Sequence, residues 1–127
     1  MQRVFQQAFH IPGTLAANVS IKYTAPCDCT LLHVSAVGSN SNSGLLTIGD
    51  SSDADEYLTS SSIGDSGTPA EFDGDDFVDT SGITHTRYYP RISDGTIVVI
   101  TVDYNYNGGG SASASADVTL VLTFAKG

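Results

Sequence analysis

Basic residues are scarce in this sequence. Five Lys and Arg stand against fourteen Asp and Glu among 127 residues, which gives a formal net charge of −9 and an isoelectric point near 4.2. Proteins that bind nucleic acids or anionic membranes draw much of their affinity from Lys and Arg. The charge balance therefore argues against both kinds of partner.

Long apolar runs are missing too. No stretch approaches the roughly 18 consecutive apolar residues that a membrane-spanning helix needs, and residues 1–7 (MQRVFQQ) lack the apolar run of a secretory signal. We therefore expect no membrane anchor and a protein that is made and assembled in the cytoplasm. With 127 residues and 13.2 kDa, the chain is predicted to be a single domain, residues 1–127.

Sequence patterns associated with catalysis are absent as well. There is no GxSxG nucleophile elbow and no HExxH motif, and the three histidines, His10, His33 and His85, lie far apart in the sequence. Trp is absent, which weakens a carbohydrate-stacking platform built from the tyrosines alone. We predict a protein that is not an enzyme, with no catalytic residues and no cofactor.

The residues that are plentiful are typical of β-structure. Ser, Thr and Gly account for 42 residues, and β-branched residues and Tyr are preferred over the usual helix formers. Apolar and polar residues alternate in several short segments, which is the pattern of half-buried strands. We predict an all-β fold, an antiparallel β-sandwich of jelly-roll or Greek-key type. The main predicted strands are 5–11, 19–24, 29–38, 45–48, 86–93, 96–106 and 117–125.

Two turn sequences predict β-hairpins. Residues 96–125 are interpreted as one hairpin around the turn 107–111 (NGGGS), and residues 29–48 as another around 40–44 (NSNSG). Alternation along the strands identifies the side chains that should face the core. These are Leu32, Val34 and Ala36 in the first hairpin, and Val98, Ile100, Val102, Tyr104, Val118, Leu120, Leu122 and Phe124 in the second.

Residues 49–83 are interpreted as a long acidic insertion. The segment holds ten of the fourteen acids and no Lys or Arg, and its apolar residues show no sustained period. We expect one helical turn at 53–58, capped by Ser51 or Ser52, and short strands near 57–63 and 76–79. Either the segment is a solvated loop that keeps the protein soluble, or it binds calcium through carboxylates. The weak calcium candidates are Asp73, Asp75, Asp76 and Asp79.

The motif Cys27-Asp28-Cys29 leaves three interpretations open. A disulfide between residues two apart would be strained, so the thiols are expected to be free and packed as small apolar groups. Alternation also places His33 on the same face, which would supply three ligands for a soft metal ion. Disulfides between subunits are the third interpretation.

Several pieces of the sequence together carry a resemblance to a known class of protein. They are Ile11-Pro12-Gly13, Ala25-Pro26, the stretch 46–50 (LTIGD), an acidic segment that runs into Tyr57-Leu58, and the terminal strands between 94 and 124. In this pattern the chain resembles small jelly-roll proteins of tailed bacteriophages, particularly capsid decoration (cement) proteins. Phage tail-fibre and neck proteins share these features, so the alternative is a tail-fibre or host-glycan-binding β-sandwich module.

The resemblance implies a structural role without catalysis. Decoration proteins of this kind are typically homotrimers on the outer capsid surface of the virion, where they contact the major capsid protein, bridge capsomers and stabilise the shell against genome pressure. An acidic surface suits the outside of a particle, away from the DNA. The implied partners are therefore the major capsid protein and two further copies of the chain.

Two segments are candidate contact surfaces. Segment 1–12, with Phe5 and Phe9, is either an arm that adds a strand to a neighbour's sheet or the first strand of the sandwich itself. The second candidate consists of Tyr and Arg residues, which are enriched at interface hot spots. Its members are Arg87, Tyr88, Tyr89 and Arg91.

Overall fold

The structure, a computed structural model, describes residues 3–106 and 113–127. These residues contain nine β-strands and no helix. Strand residues account for 52% of the described residues, so the all-β prediction is confirmed. Within those ranges there is accordingly no helix that could cross a membrane. The strands are β1 (Arg3–Thr14), β2 (Val19–Thr24), β3 (Cys29–Val37), β4 (Leu45–Asp50), β5 (Leu58–Ser62), β6 (Ala70–Phe72), β7 (Arg91–Ile92), β8 (Ile97–Asp103) and β9 (Ala116–Lys126).

The strands form two antiparallel sheets that enclose one apolar core. The larger sheet has the order β1-β9-β3-β6, and β7 also pairs with β3 beside β6. The smaller sheet has the order β2-β8-β4-β5. The inward faces of both sheets supply the buried side chains, because successive residues of a strand point to opposite faces. The predicted antiparallel β-sandwich is therefore confirmed.

Apart from the two-residue β7, the strands pair as nested antiparallel partners. β4 pairs with β5, β3 with β6, β2 with β8 and β1 with β9. This is the pairing of one long hairpin, folded over so that β9 also meets β3 and β8 also meets β4. The first and last strands of the chain therefore lie side by side.

The two predicted hairpins are wrong, although their strands exist. β8 pairs with β2 and β4 in the smaller sheet, whereas β9 pairs with β1 and β3 in the larger sheet. β3 and β4 are likewise in different sheets. Alternation reports which face of a strand is buried, but it carries no information about which strand is its neighbour. The predicted turn 107–111 lies outside the described residues.

The core side chains follow the predicted alternation with one shift. Val98, Ile100 and Val102 of β8 are fully buried, as are the four predicted inward residues of β9 between 118 and 124. In β3 the pairing with β9 shifts between Leu31 and His33, where one extra residue forms a bulge. The bulge turns Leu31 into the core in place of Leu32, so the prediction for Leu32 is wrong.

The acidic segment 49–83 is not a separate insertion, because it supplies β5 and β6 of the two sheets. The strand expected near 57–63 is confirmed as β5, but 76–79 forms no strand. The expected helical turn at 53–58 is instead a non-helical turn. The carboxylate of Asp50, rather than a serine hydroxyl, accepts the backbone N–H groups of Ser52 and Asp53, each at 2.9 Å.

Candidate interaction surfaces

Phe5 and Phe9 lie on the inward face of β1, which is an edge strand of the larger sheet. β1 pairs with β9 without interruption from Arg3 to Ile11. Phe5 stacks on the buried ring of Phe124, with the ring centroids 5.1 Å apart, and Phe9 meets Tyr23 of β2 edge-on at 6.1 Å. Of the two interpretations of segment 1–12, the described residues 3–12 thus form the first strand of the sandwich.

The free edges of β1 and β2 lie at the same lateral end of the sandwich. Their inward side chains are only partly buried, because each strand has a neighbour on one side alone among the described residues. We call these two edges and their inward side chains the open end. The half-buried apolar residues there are Phe5, Phe9, Ile11, Val19, Ile21 and Tyr23.

The opposite lateral end is covered by the segment that connects β6 to β7. Segment 73–90 crosses this end and is tied to both sheets: Val78 N donates to Tyr57 O at 2.9 Å, and Leu31 N donates to Pro90 O at 2.9 Å. Phe77 of the segment is buried in the core cluster. We call β5, β6 and segment 73–90 the capped end.

Arg87 binds the acidic turn that follows β6. Its Nη1 lies 3.5 Å from Asp73 Oδ2 and its Nη2 lies 3.3 Å from Asp75 Oδ2. The pKa of the guanidinium is raised, first by a hydrogen bond with Tyr89 and then by these two carboxylates. Because all three groups are substantially exposed, each ion pair contributes little to stability, but together they hold the segment near residue 87 against the turn.

Tyr88 and Tyr89 pack on the same turn. Tyr88 N donates to Gly74 O at 2.9 Å, and the Tyr88 hydroxyl lies 3.2 Å from the hydroxyl of Thr80. The ring of Tyr89 covers Gly74 so closely that a Cβ there would lie 2.8 Å from Tyr89 Cζ. The structure thus brings three of the four predicted contact residues together, while Arg91 is an exposed residue of β7, paired with Thr30 of β3.

The four calcium candidates are divided between two places. Asp73 and Asp76 close the turn by hydrogen bonds to its backbone, since Asp73 N donates to Asp76 Oδ2 at 3.0 Å and Asp75 N donates to Asp73 Oδ1 at 3.1 Å. Asp79 instead faces His85. In the part of the chain that the structure describes, no group of three or more His, Cys, Asp or Glu is placed to hold a metal ion.

A cluster of Asp79, Ser81 and His85, which the sequence did not reveal, lies beside a shallow groove at the capped end. His85 Nδ1 is 2.7 Å from Asp79 Oδ2, and the Ser81 hydroxyl is 2.6 Å from Asp79 Oδ1. The Ser81 hydroxyl and backbone N–H, together with His85, lower the pKa of Asp79 to about 2. The signal for this cluster is the Asp-x-Ser spacing, in which a carboxylate bonds the backbone two residues on.

This cluster does not have the order of a catalytic triad. In a triad the serine and the carboxylate contact opposite nitrogens of the histidine, so that a proton can pass through the ring. Here both Ser81 Oγ, at 3.2 Å, and Asp79 Oδ2 face the same atom, His85 Nδ1. The three side chains therefore act as a clasp that closes the loop 79–85.

The three residues considered for a soft-metal site are not brought together. Cys29 is buried in the core, and this burial, followed by the nearby Cys27, raises the pKa of its thiol to about 11. The bulge in β3 places His33 opposite Thr123 on the outer face, where its Nε2 lies 3.3 Å from Glu71. Both cysteines are free thiols, Cys27 half-buried and Cys29 packed as an apolar residue.

Comparison with known proteins yields one informative similarity. No protein-family model matches the sequence, and no curated protein matches it. The fold is similar to that of a chain in the cyanophage Pam1 capsid asymmetric unit, with a TM-score of 0.54 and 20% sequence identity. The similarity covers 99% of this chain and 85% of that chain. It shows that the two chains share a fold.

Proposed function

We propose that this protein is a structural component of a bacteriophage virion, and more specifically a capsid decoration protein on the outer surface of the head. In this role it binds the major capsid protein, bridges neighbouring capsomers and stabilises the shell against the pressure of packaged DNA. The observation that carries the proposal is the fold similarity, over almost the whole chain, to a chain of a cyanophage capsid asymmetric unit.

The strand pairing supports the same proposal. A jelly roll is a double-sheet sandwich of eight strands that forms many viral capsid domains. Eight of the nine strands here pair in the nested order that such a roll requires, with β1 beside β9 and β2 beside β8. The order therefore favours the jelly-roll class over other two-sheet sandwiches.

The charge of the surface also supports an external location. A net charge of −9 disfavours contact with packaged DNA, whose phosphates attract Lys and Arg. A protein that reinforces a shell needs several contacts at once rather than a catalytic pocket. A homotrimer would supply three linked contacts, and linkage raises the overall affinity well above that of one contact.

The candidate contact residues fall on opposite ends of the sandwich. Phe5 and Phe9 lie at the open end, and the cluster Arg87, Tyr88 and Tyr89 lies at the capped end with Arg91 nearby on β7. We assign these residues to contacts with the major capsid protein and with neighbouring copies. Arg91 is the best single probe for capsid binding, because it is exposed and makes no ion pair among the described residues.

The test is co-sedimentation of the purified protein with the heads of its phage. We expect the protein to bind expanded, DNA-filled heads and not immature shells, and to do so equally in the presence of a chelator. Arg91→Ala should weaken binding about tenfold or more if Arg91 is a hot spot. Lys126→Ala, which also removes one exposed positive charge, is the control and should bind normally.

A failure to bind any form of the head would contradict the decoration role. Binding to host glycans in place of heads would support the tail-fibre alternative. Loss of head binding on addition of chelator would show that the carboxylates hold a calcium ion after all.

A further inference from the structure

The two lateral ends of the sandwich differ in how completely they are covered. Segment 73–90 lies across the capped end, and Phe77 fills the core there. No described segment covers the open end. Six of the nine apolar side chains that pack against the core without being fully buried lie there, on β1 and β2. Among the described residues, the core is therefore less completely covered at the open end than at the capped end.

The edge strand at the open end is unusually long and unprotected. β1 has twelve residues, whereas strands commonly have about five or six. Edge strands of soluble proteins are usually guarded by inward-pointing charges, central prolines or bulges. From Val4 to Ile11, β1 contains none of these; Arg3, on the same face as Phe5, is the one Lys or Arg of the stretch that pairs with β9, and Pro12 comes only after it. Such an edge is suited to contact with another protein surface.

The ends also carry opposite charge. Residues 3–27, which include both strands of the open end, contain Arg3 and Lys22 and no Asp or Glu. The capped end, β5, β6 and segment 73–90, contains five acids and one basic residue, Arg87, and the end of β4 and the connections on either side of β5 add five further acids between Asp50 and Asp65. The carboxylate of Asp117 reaches β1 only at Gly13, beyond the stretch that pairs regularly with β9. Opposite charges on two surfaces guide association and determine its orientation.

The capped end presents exposed apolar groups as well. Ile83 is 69% exposed and Tyr89 is 37% exposed, and both belong to segment 73–90. The open end is therefore an apolar edge with positive charge, and the capped end is acidic and has exposed apolar side chains. The two surfaces are complementary. Because both belong to the same chain, they can bind each other only between different copies.

From these observations we infer that the open end of one copy docks against the capped end of the next copy. The contact is heterologous, joining two different patches, and a heterologous contact closes into a ring when the rotation allows it. A ring of three copies is the assembly expected here. The inference rests on the self-association in the proposed function and names the surfaces that mediate it.

The test uses two variants that each damage one end. The open-end variant combines Val4→Glu with Lys22→Glu, and the capped-end variant combines Glu71→Lys with Ile83→Lys. All four side chains are exposed, so the fold should be retained, and circular dichroism verifies this. Thr101→Glu, at a half-buried position on the outer face of β8 between Ser20 of β2 and Thr47 of β4, is the control for adding a negative charge to a strand that is not an edge.

Native mass spectrometry gives the readout. The unaltered chain and Thr101→Glu should have the mass of three 13.2 kDa chains, and each end variant alone should associate at least tenfold more weakly. Mixing the two end variants should restore a dimer containing one of each, because one undamaged open end and one undamaged capped end remain. The contact should also weaken as salt is raised from about 0.05 to 0.5 M.

Three results would overturn the inference. One is a chain that remains monomeric at micromolar concentration. Another is an assembly abolished by the open-end variant but unaffected by the capped-end variant, since this indicates edge-to-edge pairing about a two-fold axis. The third is a mixture of the two variants that forms no mixed dimer. Head binding by a monomer would overturn this inference and leave the proposed function intact. A ring that does not bind heads would support this inference and overturn the proposed function.

Discussion

At the scale of single residues, the bulge in β3 decides which leucine belongs to the core. Strict alternation from Val34 would bury Leu32, and the sequence carries no local signal of an inserted residue. In the structure Leu31 is fully buried opposite Phe124, and Leu32 is only half-buried. Sequence reasoning therefore identifies the strand and most of its inward face but misses the residue at which the register changes.

The two adjacent leucines provide a direct test of this bulge. Leu31→Ala should lower the free energy of unfolding by about 2–5 kcal/mol, the cost of deleting a fully buried leucine. Leu32→Ala makes the same chemical change on the outer face and should cost less than about 1 kcal/mol. Chemical denaturation of both variants measures the difference. Equal effects, or a larger effect at Leu32, would mean that the bulge is absent.

The clasp formed by Asp79, Ser81 and His85 gives a second test at this scale. The pKa of Asp79 is lowered to about 2, chiefly by the Ser81 hydroxyl. A carboxyl whose folded pKa is depressed stabilises the fold above its unfolded pKa, near 3.9, and this contribution is lost as pH falls toward 2. Ser81→Ala should therefore raise the pKa of Asp79 and shrink the loss of stability between about pH 4 and pH 2.

Side-chain NMR titration of Asp79 provides the measurement. Ser60→Ala is the matched control, because Ser60 is exposed on β5 and lies outside the clasp. An unchanged Asp79 pKa in Ser81→Ala would show that the hydroxyl does not bond the carboxylate. The Asp-x-Ser spacing signals the local turn at Asp79 and Ser81, but no pattern in the sequence brings His85 to Asp79, so the complete clasp could not be predicted.

At the scale of strands, the sequence predicts the elements better than their neighbours. Eight of the nine strands overlap segments in which the sequence predicts a strand, all but β6, and β8 and β9 bury the predicted faces. The pairing of β1 with β9 joins residues more than a hundred positions apart. Turn sequences describe only local reversals, so they suggested hairpins where the chain in fact crosses between sheets.

The turn after β4 shows how an element end depends on one glycine. A Cβ on Gly49 would lie 2.0 Å from the backbone oxygen of Asp53 and 2.4 Å from the carbonyl carbon of Ala54. Backbone atoms cannot move aside as a flexible side chain can, so the turn from β4 toward β5 must shift. We expect Gly49→Ala to lower the free energy of unfolding by about 1–3 kcal/mol or more.

Gly82→Asn is the control for this substitution. Gly82 has a φ of 81°, and a Cβ added there would have no atom within 4 Å. Asn tolerates this left-handed conformation better than most residues. Thermal unfolding should show a small change for Gly82→Asn and a large one for Gly49→Ala. Comparable midpoints for the two variants would mean that β4 and β5 are not joined by this tight turn.

At the scale of the whole molecule, ten of the fourteen acids lie between Asp50 and Asp79, on the capped end, the end of β4 and the connections beside β5, rather than being spread along the chain. Their crowding affects their own ionisation, since the carboxylate of Asp53 raises the pKa of both Asp55 and Glu56. Sequence reasoning located this charge correctly and predicted β5, but it missed the three-residue strand β6 and interpreted the whole segment as an insertion. Only the pairing of those strands with β4 and β3 makes the acidic segment part of the sandwich.

Like charges held close together raise the free energy of the folded state, and salt screens them. The unfolding midpoint should therefore rise between about 0.05 and 0.5 M NaCl. It is best measured in the Val4→Glu, Lys22→Glu background, where assembly contributes least. Adding Asp55→Asn and Asp65→Asn should raise the midpoint at low salt and reduce its dependence on salt, whereas Asp94→Asn, remote from the capped end, should do neither. A midpoint that does not change with salt would mean that this repulsion is negligible, and equal stabilisation by Asp94→Asn would mean that it is spread over the molecule. In either case the charge contrast between the two ends is too weak to orient the contact between copies.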